Sequence, residues 1–330
     1  AGNAATADTG DTFVYDVTAP TSSAATIADD GDGNANNGDV ITLTLDPSEA
    51  VGTPTCTWTD GGSGAMADTT VTYDTTGVDS HTAAITVADA DDDGTLGFSC
   101  TYSDLAGNAL ASAITAITSG SAITIDNTHP SISSVTADWG AYLNAAEDNS
   151  DGSIVVVTSG AEDDETVTIT GMGFTDTCTV SSNTCTATIA AADLQGLSDG
   201  TTYTLTVNVD DTAGNAATAD TGDTFVYDVT VPTMTITSTT VTSGDTSNDA
   251  TIALAFTSSE STANLVSGDV TLSAGSISSS FAGSGTDYTA TFTPSGDATF
   301  TISIAAGAFS DAAGNTNTVS NSFTWTYDST

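Results

Sequence analysis

Asp and Asn recur in this 330-residue chain at spacings that suit the binding of a hard cation. The motif Asp-x-Ala-Gly-Asn occurs three times, at residues 104–108, 211–215 and 311–315. Its Gly and Asn tolerate a left-handed backbone, and its Asp and Asn oxygens can accept hydrogen bonds from turn amides. Two interpretations stay open: a tight turn before the last strand of a repeat, or a turn that also holds Ca²⁺, which takes about six to eight oxygen ligands.

Each repeat also opens with a loop rich in oxygen ligands, at residues 29–39, 147–151 and 243–249. The first loop contains the pattern Asp-x-Asp-x-Asn-x-Asn, but Ala35 at its sixth position and Ile41 at its twelfth exclude an EF-hand. A plain calcium loop and a solvated acidic loop remain the alternatives. We expect these loops to meet the Asp-x-Ala-Gly-Asn turn of the preceding module and the Asp that ends each repeat's last strand.

The charge balance strengthens the case for a bound cation. The chain has 43 Asp and Glu residues and no Lys or Arg, for a formal net charge of −43. Crowded carboxylates therefore have only His81, His129 or inorganic cations as positive partners. Nucleic acid and anionic membranes are excluded as direct electrostatic partners. The predicted Ca²⁺ ligands are Asp16, Asp30, Asp32, Asn34, Asn36, Asp104, Asn108, Asp126, Glu147, Asp148, Asp211, Asn215, Asp228, Asp245, Asp249, Asp311 and Asn315.

A repeat of about 100 residues organises these motifs. An alternating apolar strand follows each of the three motifs, and also the truncated copy Ala-Gly-Asn at residues 1–3. These four strands end in an Asp, at Asp16, Asp126, Asp228 and Asp328. A five-residue connector with Pro at its fourth position follows the first three of these Asp residues. Pro fixes its own φ and favours extended geometry before it, so the connectors predict stiff domain boundaries. The predicted divisions are 1–21 (last strand and connector of a preceding or partner module), then modules 22–130, 131–233 and 234–330.

Alternating apolar residues predict antiparallel strands within each repeat. Segments such as 201–209, 250–257, 298–305 and 322–328 place apolar side chains at every second position, mainly with Thr and Ser between them. About seven such strands per 100 residues are typical of an immunoglobulin-like sandwich. A short helical turn is expected at 190–197. The fold class predicted is therefore all-β, with tandem immunoglobulin-like antiparallel β-sandwiches in an elongated rod.

Four cysteines lie in strand-like segments: Cys56, Cys100, Cys178 and Cys185. An even number in such contexts favours two disulfides and an oxidising, extracellular location. Four reduced, buried thiols are the alternative.

The combination of Asp-x-Ala-Gly-Asn, a span of 13 residues and Tyr-Asp-x-Thr-x-Pro resembles the bacterial immunoglobulin-like (Big) domains that repeat in giant surface adhesins. The resemblance covers nearly the whole chain. It implies extracellular sandwich modules with calcium at or near their junctions. The repeat at 22–130 departs from the pattern, because 18 residues separate Asn108 from Asp126 and the strand ends in Ile-Asp-Asn-Thr-His-Pro. Cysteines are not a general feature of such modules.

These observations predict a structural role and no enzymatic activity, since no nucleophile motif accompanies either His. The function expected is a calcium-stiffened rod or filament of a surface adhesin or appendage, whose partners are neighbouring modules or subunits. One alternative is modules that bind a glycan or a protein. Another is a filament subunit that donates strand 1–18, although truncation of a longer repeating chain is the favoured explanation of that segment.

Overall fold

The computed structural model describes residues 15–29, 31, 33–75, 80–278 and 281–330. The described chain divides into two compact units. The first unit comprises the described residues up to Ser131 together with Thr158–Glu165 and Val209–Thr218, and the second comprises Ile132–Val157, Thr166–Asn208 and Ala219–Thr330. Most of the predicted strand 1–18 lies outside the described residues, and the three-module division stays a prediction.

Thr-rich strands with alternating apolar side chains build the first repeat. Its strands are β1 (Ser22–Ala28), β2 (Asn34–Ala35), β3 (Val40–Pro47), β4 (Thr55–Thr59), β5 (Thr72–Asp74), β6 (His81–Thr86), β7 (Gly94–Thr95), β8 (Gly97–Thr101) and β9 (Thr124–Ile125). They form the sheets β1-β3-β6-β5, β2-β9-β7 and β4-β8, in which only the β2–β9 pair is parallel among the pairs described. Ile41, Leu43 and Leu45 of β3 are fully buried in one core with Trp58 and Ile125, so side chains of all three sheets share that core.

The second repeat contains β10 (Ser131–Ala137), β11 (Tyr142–Asn144), β12 (Gly152–Ser159), β13 (Thr166–Thr170), β14 (Asp176–Thr179), β15 (Thr184–Ile189), β16 (Thr201–Thr204), β17 (Thr206–Asn208) and β18 (Thr224–Asp228). Their sheet orders are β10-β12-β15, β11-β18-β16 and β14-β13-β17. The segment 201–209, predicted as one alternating strand, changes sheet at Leu205: β16 pairs with β18, whereas β17 pairs with β13. The expected helical turn is present as α1 (Ala191–Leu194).

The third repeat is a sandwich of two four-stranded sheets. Its strands are β19 (Met234–Ser238), β20 (Thr246–Ser247), β21 (Ile252–Thr262), β22 (Val270–Leu272), β23 (Ser276–Ile277), β24 (Ala282–Thr293), β25 (Ala298–Ile304) and β26 (Phe323–Tyr327), with a 3-10 turn at Ser267–Asp269. The sheets are β19-β21-β24-β23 and β20-β26-β25-β22. Phe256 and Phe292 of one sheet and Phe300 and Trp325 of the other are at most 1 % exposed, and they belong to one core. The prediction of an all-β fold with immunoglobulin-like antiparallel sandwiches is confirmed.

Both predicted disulfides are present. Cys56 of β4 bonds to Cys100 of β8, and Cys178 of β14 bonds to Cys185 of β15. The Cys56–Cys100 bridge joins directly opposite residues of an antiparallel pair. Among the described residues, no helix is long and apolar enough to cross a membrane.

Candidate metal centres

The Asp-x-Ala-Gly-Asn motif folds into the same turn in all three repeats. The Asp104 carboxylate accepts hydrogen bonds from the backbone N–H and the side-chain N–H of Asn108, at 2.8 and 2.7 Å. Equivalent pairs of bonds, at 2.8 to 3.1 Å, close the turns at 211–215 and 311–315. The Gly of each motif has a φ of +87° to +97°, a left-handed conformation that requires Gly at this place. The tight turn predicted from the motif is therefore built by its Asp and Asn side chains.

The motif Asn also holds the connector that leads into its own repeat. Its Nδ2 group donates a hydrogen bond to the backbone carbonyl of the Asp directly before the connector. These acceptors, at 3.1, 2.8 and 2.7 Å, are Asp16, Asp126 and Asp228. We call these three residues the connector Asp residues. Each motif Asp is thereby fixed near a connector Asp, although the two carboxylates repel each other.

A second acid holds the connector from the repeat that precedes it. The Asp93 carboxylate accepts a hydrogen bond from the backbone N–H of Asn127 at 2.7 Å, and Asp199 accepts one from Val229 at 2.9 Å. Both acceptors are the Asp of an Asp-Gly turn, and both donors directly follow a connector Asp. Hydrogen bonds from Thr230 and Val229 hold the pKa of Asp199 below its ordinary value. The connectors at 127–131 and 229–233 are thus fixed on both sides by side chains of the repeats that they join.

Two clusters of three carboxylates form where a connector Asp meets the following repeat. The first cluster is Asp16, Glu49 and Asp104, and the second cluster is Asp228, Glu260 and Asp311. Within each cluster, one oxygen from every carboxylate lies within 4.8 Å of the other two. Among the described residues, these are the two groups of acids that approach so closely. The structure therefore brings together a connector Asp and a motif Asp, as the sequence predicts, and adds a Glu to each pair.

The two Glu residues were not predicted. Glu49 and Glu260 each lie two residues beyond the last buried position of a long strand, at Pro47 and Ser258. The Ser before each Glu accepts a hydrogen bond from the connector's last residue, at 3.0 Å for Ser48 and 2.9 Å for Ser259. The sequence signal was the dipeptide Ser-Glu at equivalent strand ends of two repeats. This signal is weaker than the loops rich in Asp and Asn, because a single Glu at a strand end provides only one ligand side chain.

The second cluster is a place where negative charge is poorly solvated. Burial raises the pKa of Glu260, and the charges of Asp228 and Asp311 add to this effect. Burial likewise raises the pKa of Asp228, with a further contribution from Asp311. The Oε2 atom of Glu260 is buried and has no hydrogen-bond partner. A buried anionic oxygen without a partner is costly, so the cluster fits a cation that the chain itself cannot supply.

The first cluster has the same donor set in a more open setting. It borders a cavity of about 350 Å³ that is lined by Asp16, Glu49, Ala50 and Asp104 together with residues 105–106. Hydrogen bonds from Asn108 hold the pKa of Asp104 below its ordinary value, so this carboxylate is ionised at neutral pH. Three carboxylates beside an open cavity suit Ca²⁺, because this ion takes several oxygen ligands and keeps water among them.

The connector Asp126 lies in a different arrangement. Burial raises its pKa, and the nearby charges of Asp211, Asp93 and Glu162 add to the effect. Glu162 is exposed, and its Oε2 atom accepts a hydrogen bond from the backbone N–H of Thr212 at 3.1 Å. Asp126, Asp211 and Asn215 are thus near one another as predicted, but the third carboxylate of the two clusters has no counterpart here.

The acids of the opening loops have partners in their own repeats. Glu147 accepts a hydrogen bond from the backbone N–H of Asn144, and Asp148 accepts one from the Tyr227 hydroxyl at 2.8 Å. Burial and this bond to Asp148 raise the pKa of Tyr227 to about 12. In the loop at 243–249, Asp245 accepts a bond from Thr242 and Asp249 from Ser247, each at 2.7 Å. None of these four acids belongs to the two clusters.

The loop at 29–39 is only partly described. Asp30 and Asp32 lie outside the described residues. Asn34 begins β2, and the backbone N–H of Asn36 donates to Asp39 at 2.8 Å. A calcium loop at 29–39 therefore stays a prediction.

The opening segment of the second repeat contacts the Asp-x-Ala-Gly-Asn turn of the following repeat, whereas the sequence predicts contact with the turn of the preceding repeat. Asn144 is the last residue of β11, directly opposite Asp228 of β18. Its Nδ2 group donates to the carbonyl of Ala313 at 2.9 Å, and the N–H of Ala145 donates to Asn315 Oδ1 at 3.1 Å. The contact is with the turn of the following repeat, and it consists of amides instead of carboxylates.

Comparisons with known proteins give a family match for part of the chain and several similar solved structures. Residues 228–327 match the family model of the bacterial immunoglobulin-like domain. Among solved structures, the chain is similar to a Ca²⁺-stabilised adhesin that helps an Antarctic bacterium bind ice. The sequence identity is 23 %, the match covers 95 % of this chain and 75 % of that chain, and the TM-score is 0.43. The chain is also similar to a 1.5-MDa bacterial ice-binding adhesin, with 21 % identity, 93 % and 100 % coverage and a TM-score of 0.38. No match is found among curated proteins.

Proposed function

We propose, from the premise that residues 228–327 are a bacterial immunoglobulin-like domain, that this chain is a structural segment of an extracellular surface protein. Its modules, 22–130, 131–233 and 234–330, form a rod or filament of an adhesin or appendage. Calcium ions at the connectors stiffen that rod. The observation that carries the proposal is the pair of three-carboxylate clusters at equivalent connectors.

The position of each cluster explains how calcium stiffens the chain. One carboxylate belongs to the residue before a connector, and the other two belong to the repeat after it. Without a cation the three negative charges repel, and this repulsion favours separation of the connector from the repeat. When Ca²⁺ is bound, the same three carboxylates attract it, so movement of the connector away from the repeat breaks metal bonds.

The residues that hold the ion in this proposal are Asp16, Glu49 and Asp104 at one connector and Asp228, Glu260 and Asp311 at another. The ion supplies the positive charge that no Lys or Arg of this chain provides. The motif Asn orients the motif Asp with two hydrogen bonds and leaves that carboxylate's remaining lone pairs for the metal. The turn that holds the connector therefore also prepares the metal site.

Thermal unfolding with and without calcium tests the proposal. A ligand at 100 times its Kd stabilises the folded state by about 2.7 kcal/mol. We expect scanning calorimetry of the intact chain to give melting temperatures several degrees higher in CaCl₂ than in EDTA, with MgCl₂ as the control cation. Small-angle scattering under the same conditions reports stiffness, since chelation should broaden the distribution of end-to-end distances. Identical melting curves in calcium and EDTA would refute the calcium claim.

Binding of a glycan or a protein by the modules remains the alternative hypothesis. Aromatic platforms for sugars would be the expected feature, but Trp58, Trp139 and Trp325 are at most 6 % exposed. The structural role is therefore preferred, and a glycan array probed with the intact chain is the direct test of the alternative.

A further inference from the structure

The connector at 127–131 differs from the other two at the position of the metal-binding Glu. The long strands β3, β12 and β21 bury alternate residues, and the last buried residues are Pro47, Thr158 and Ser258. Two positions later the first and third repeats have a Glu, whereas the second repeat has Gly160. This Gly has a φ of +88°, and a Cβ atom there would lie 3.2 Å from Pro130 Cα. Gly160 therefore supplies no third carboxylate, and a side chain at this position would crowd the connector backbone.

A nearby acid does not replace the missing Glu. Glu162 lies two residues after Gly160, is exposed, and accepts a hydrogen bond from the backbone N–H of Thr212 at 3.1 Å. The Thr212 hydroxyl also donates to Glu165 at 3.3 Å. Thr212 is the variable residue of its Asp-x-Ala-Gly-Asn motif, where the other two copies have Leu105 and Ala312. Only this copy of the turn has a side-chain hydroxyl at that position, and the hydroxyl is directed to an acid.

The connector itself contributes a hydrogen bond that the others lack. His129 takes the place of Ala19 and Val231, directly before the connector Pro. Its Nδ1 atom lies 2.8 Å from the carbonyl oxygen of Ala216, which directly follows the motif Asn215. Because a carbonyl only accepts, Nδ1 donates. This bond joins the connector to the second repeat at the turn that would otherwise share a metal ion with it.

We propose that the connector at 127–131 is joined to the second repeat by direct hydrogen bonds and has no calcium site of the kind formed at Asp16 and Asp228. The inference rests on the proposed function, because it distinguishes one connector from two that bind calcium. Three independent differences support it: Gly160 at the Glu position, Glu162 and Glu165 bonded to Thr212, and His129 bonded to Ala216. Chelation would then loosen the connectors at 17–21 and 229–233 and leave the connector at 127–131 unchanged.

The three connector Asp residues offer matched variants for a test. The Oδ1 atoms of Asp16, Asp126 and Asp228 each accept a hydrogen bond from the backbone N–H two residues later, at 2.9 to 3.2 Å. Replacement by Asn keeps an acceptor oxygen there and removes one negative charge. Isothermal titration of the intact chain with CaCl₂ gives the number of sites and their affinities in Asp16→Asn, Asp126→Asn and Asp228→Asn. Circular dichroism verifies that each variant is folded.

We expect Asp16→Asn and Asp228→Asn each to weaken one calcium site by about tenfold or more, because calcium affinity depends on the number of charged ligands. Asp126→Asn should keep the wild-type number of sites and their affinities. Loss of one site in Asp126→Asn, equal to the loss in the other two variants, would overturn this inference and leave the proposed function intact. Retention of all sites in Asp16→Asn and Asp228→Asn would instead overturn the proposed function.

A second measurement tests the direct bonds. Replacement of His129 by Ala removes the donor to Ala216, so the variant should melt at a lower temperature than the wild type in EDTA and in CaCl₂ alike. The replacement Val231→Ala at the equivalent position is the control, since Val231 is 40 % exposed and has no hydrogen-bonding side chain. An unchanged melting temperature in His129→Ala would show that this bond does not join the connector to the repeat.

Discussion

The substitution Glu260→Gln distinguishes two opposite effects of negative charge in the second cluster. Without calcium the charge of Glu260 repels its neighbours, and with calcium it binds the ion. The substitution keeps the shape of the side chain and removes one of three carboxylates. In the absence of calcium, it also removes the repulsion of Glu260 from Asp228 and Asp311 and replaces a buried charge by a neutral amide. The variant should therefore be more stable than the wild type in EDTA. In calcium the order should reverse, because the ion loses a charged ligand.

The size of the effect follows from the separations in the cluster. Two unit charges 4.8 Å apart, the limit within which the cluster's carboxylate oxygens lie, repel by about 0.9 kcal/mol in water and by about 3.5 kcal/mol at an effective dielectric constant of about 20. Glu260 is half-buried and faces two such charges, so we take a relief of about 2 kcal/mol. A change of 1 kcal/mol shifts the melting temperature of a 60–100-residue domain by about 4–8 °C. The transition of residues 234–330 should therefore rise by about 8 °C or more in EDTA.

Differential scanning calorimetry of the intact chain measures this change, in EDTA and in CaCl₂. The control is Asp287→Asn, which removes the same charge from an exposed position of the same repeat and keeps one of the two acceptor oxygens that Thr257 and Thr286 use. It should shift melting little and leave the calcium response intact. A Glu260→Gln variant that is destabilised in EDTA, or that responds to calcium like the wild type, would refute the reasoning.

Three further predictions concern other parts of the same account. In EDTA, the raised pKa values of Asp228 and Glu260 mean that the folded state binds protons more tightly than the unfolded state. Protonation of these two carboxyl groups therefore contributes stability below their unfolded pKa of about 4, and this contribution is lost as the pH rises through their folded pKa. The melting temperature should therefore fall between pH 4.5 and 7 more steeply in the wild type than in Asp228→Asn/Glu260→Gln, and equal slopes would contradict this. A disulfide stabilises the folded state more when it closes a longer loop, because it removes more entropy from the unfolded chain. Replacement of Cys56 and Cys100 by Ala, with a sequence separation of 44, should therefore lower the free energy of unfolding in urea by about 4 kcal/mol, and replacement of Cys178 and Cys185, separated by 7, by about 2 kcal/mol. The reverse order would contradict this entropic argument. Asn315→Ala removes the side-chain N–H groups that donate to Asp311 and to the Asp228 carbonyl. It should lower the free energy of unfolding in EDTA by about 1–3 kcal/mol. A change below about 0.5 kcal/mol would show that this turn does not hold the connector.

The sequence was sufficient to predict the features that depend on local chemistry. The alternation at 250–257 and 298–305 gave the strands β21 and β25, because period two places one side of a strand in the core. The Asp-x-Ala-Gly-Asn turn was predictable because its Gly, its Asp acceptor and its Asn donor act within five residues. The disulfide between Cys178 and Cys185 was predictable for the same reason, since two short strands and a turn separate its cysteines.

The features that were missed depend on contacts between distant segments. Glu49 and Glu260 become metal-ligand candidates only when the end of a strand lies beside a connector. The local signal, the dipeptide Ser-Glu at two strand ends, does not by itself place them there. Leu205 interrupts an alternating segment because the two halves pair with different sheets, β16 with β18 and β17 with β13. The contact of Asn144 with Ala313 spans 169 residues. The spacing of the repeats does not show whether this segment contacts the turn of the preceding or of the following repeat.

A crystal structure of the intact chain grown with calcium tests the central claim most directly. The account predicts an ion bonded to carboxylate oxygens of Asp228, Glu260 and Asp311 at about 2.3–2.6 Å, with water in its remaining positions. It predicts an equivalent ion at Asp16, Glu49 and Asp104, identified by anomalous scattering. Three carboxylates turned away from one another at saturating calcium, with no ion between them, would contradict the claim that calcium joins the connectors at 17–21 and 229–233 to the repeats that follow them.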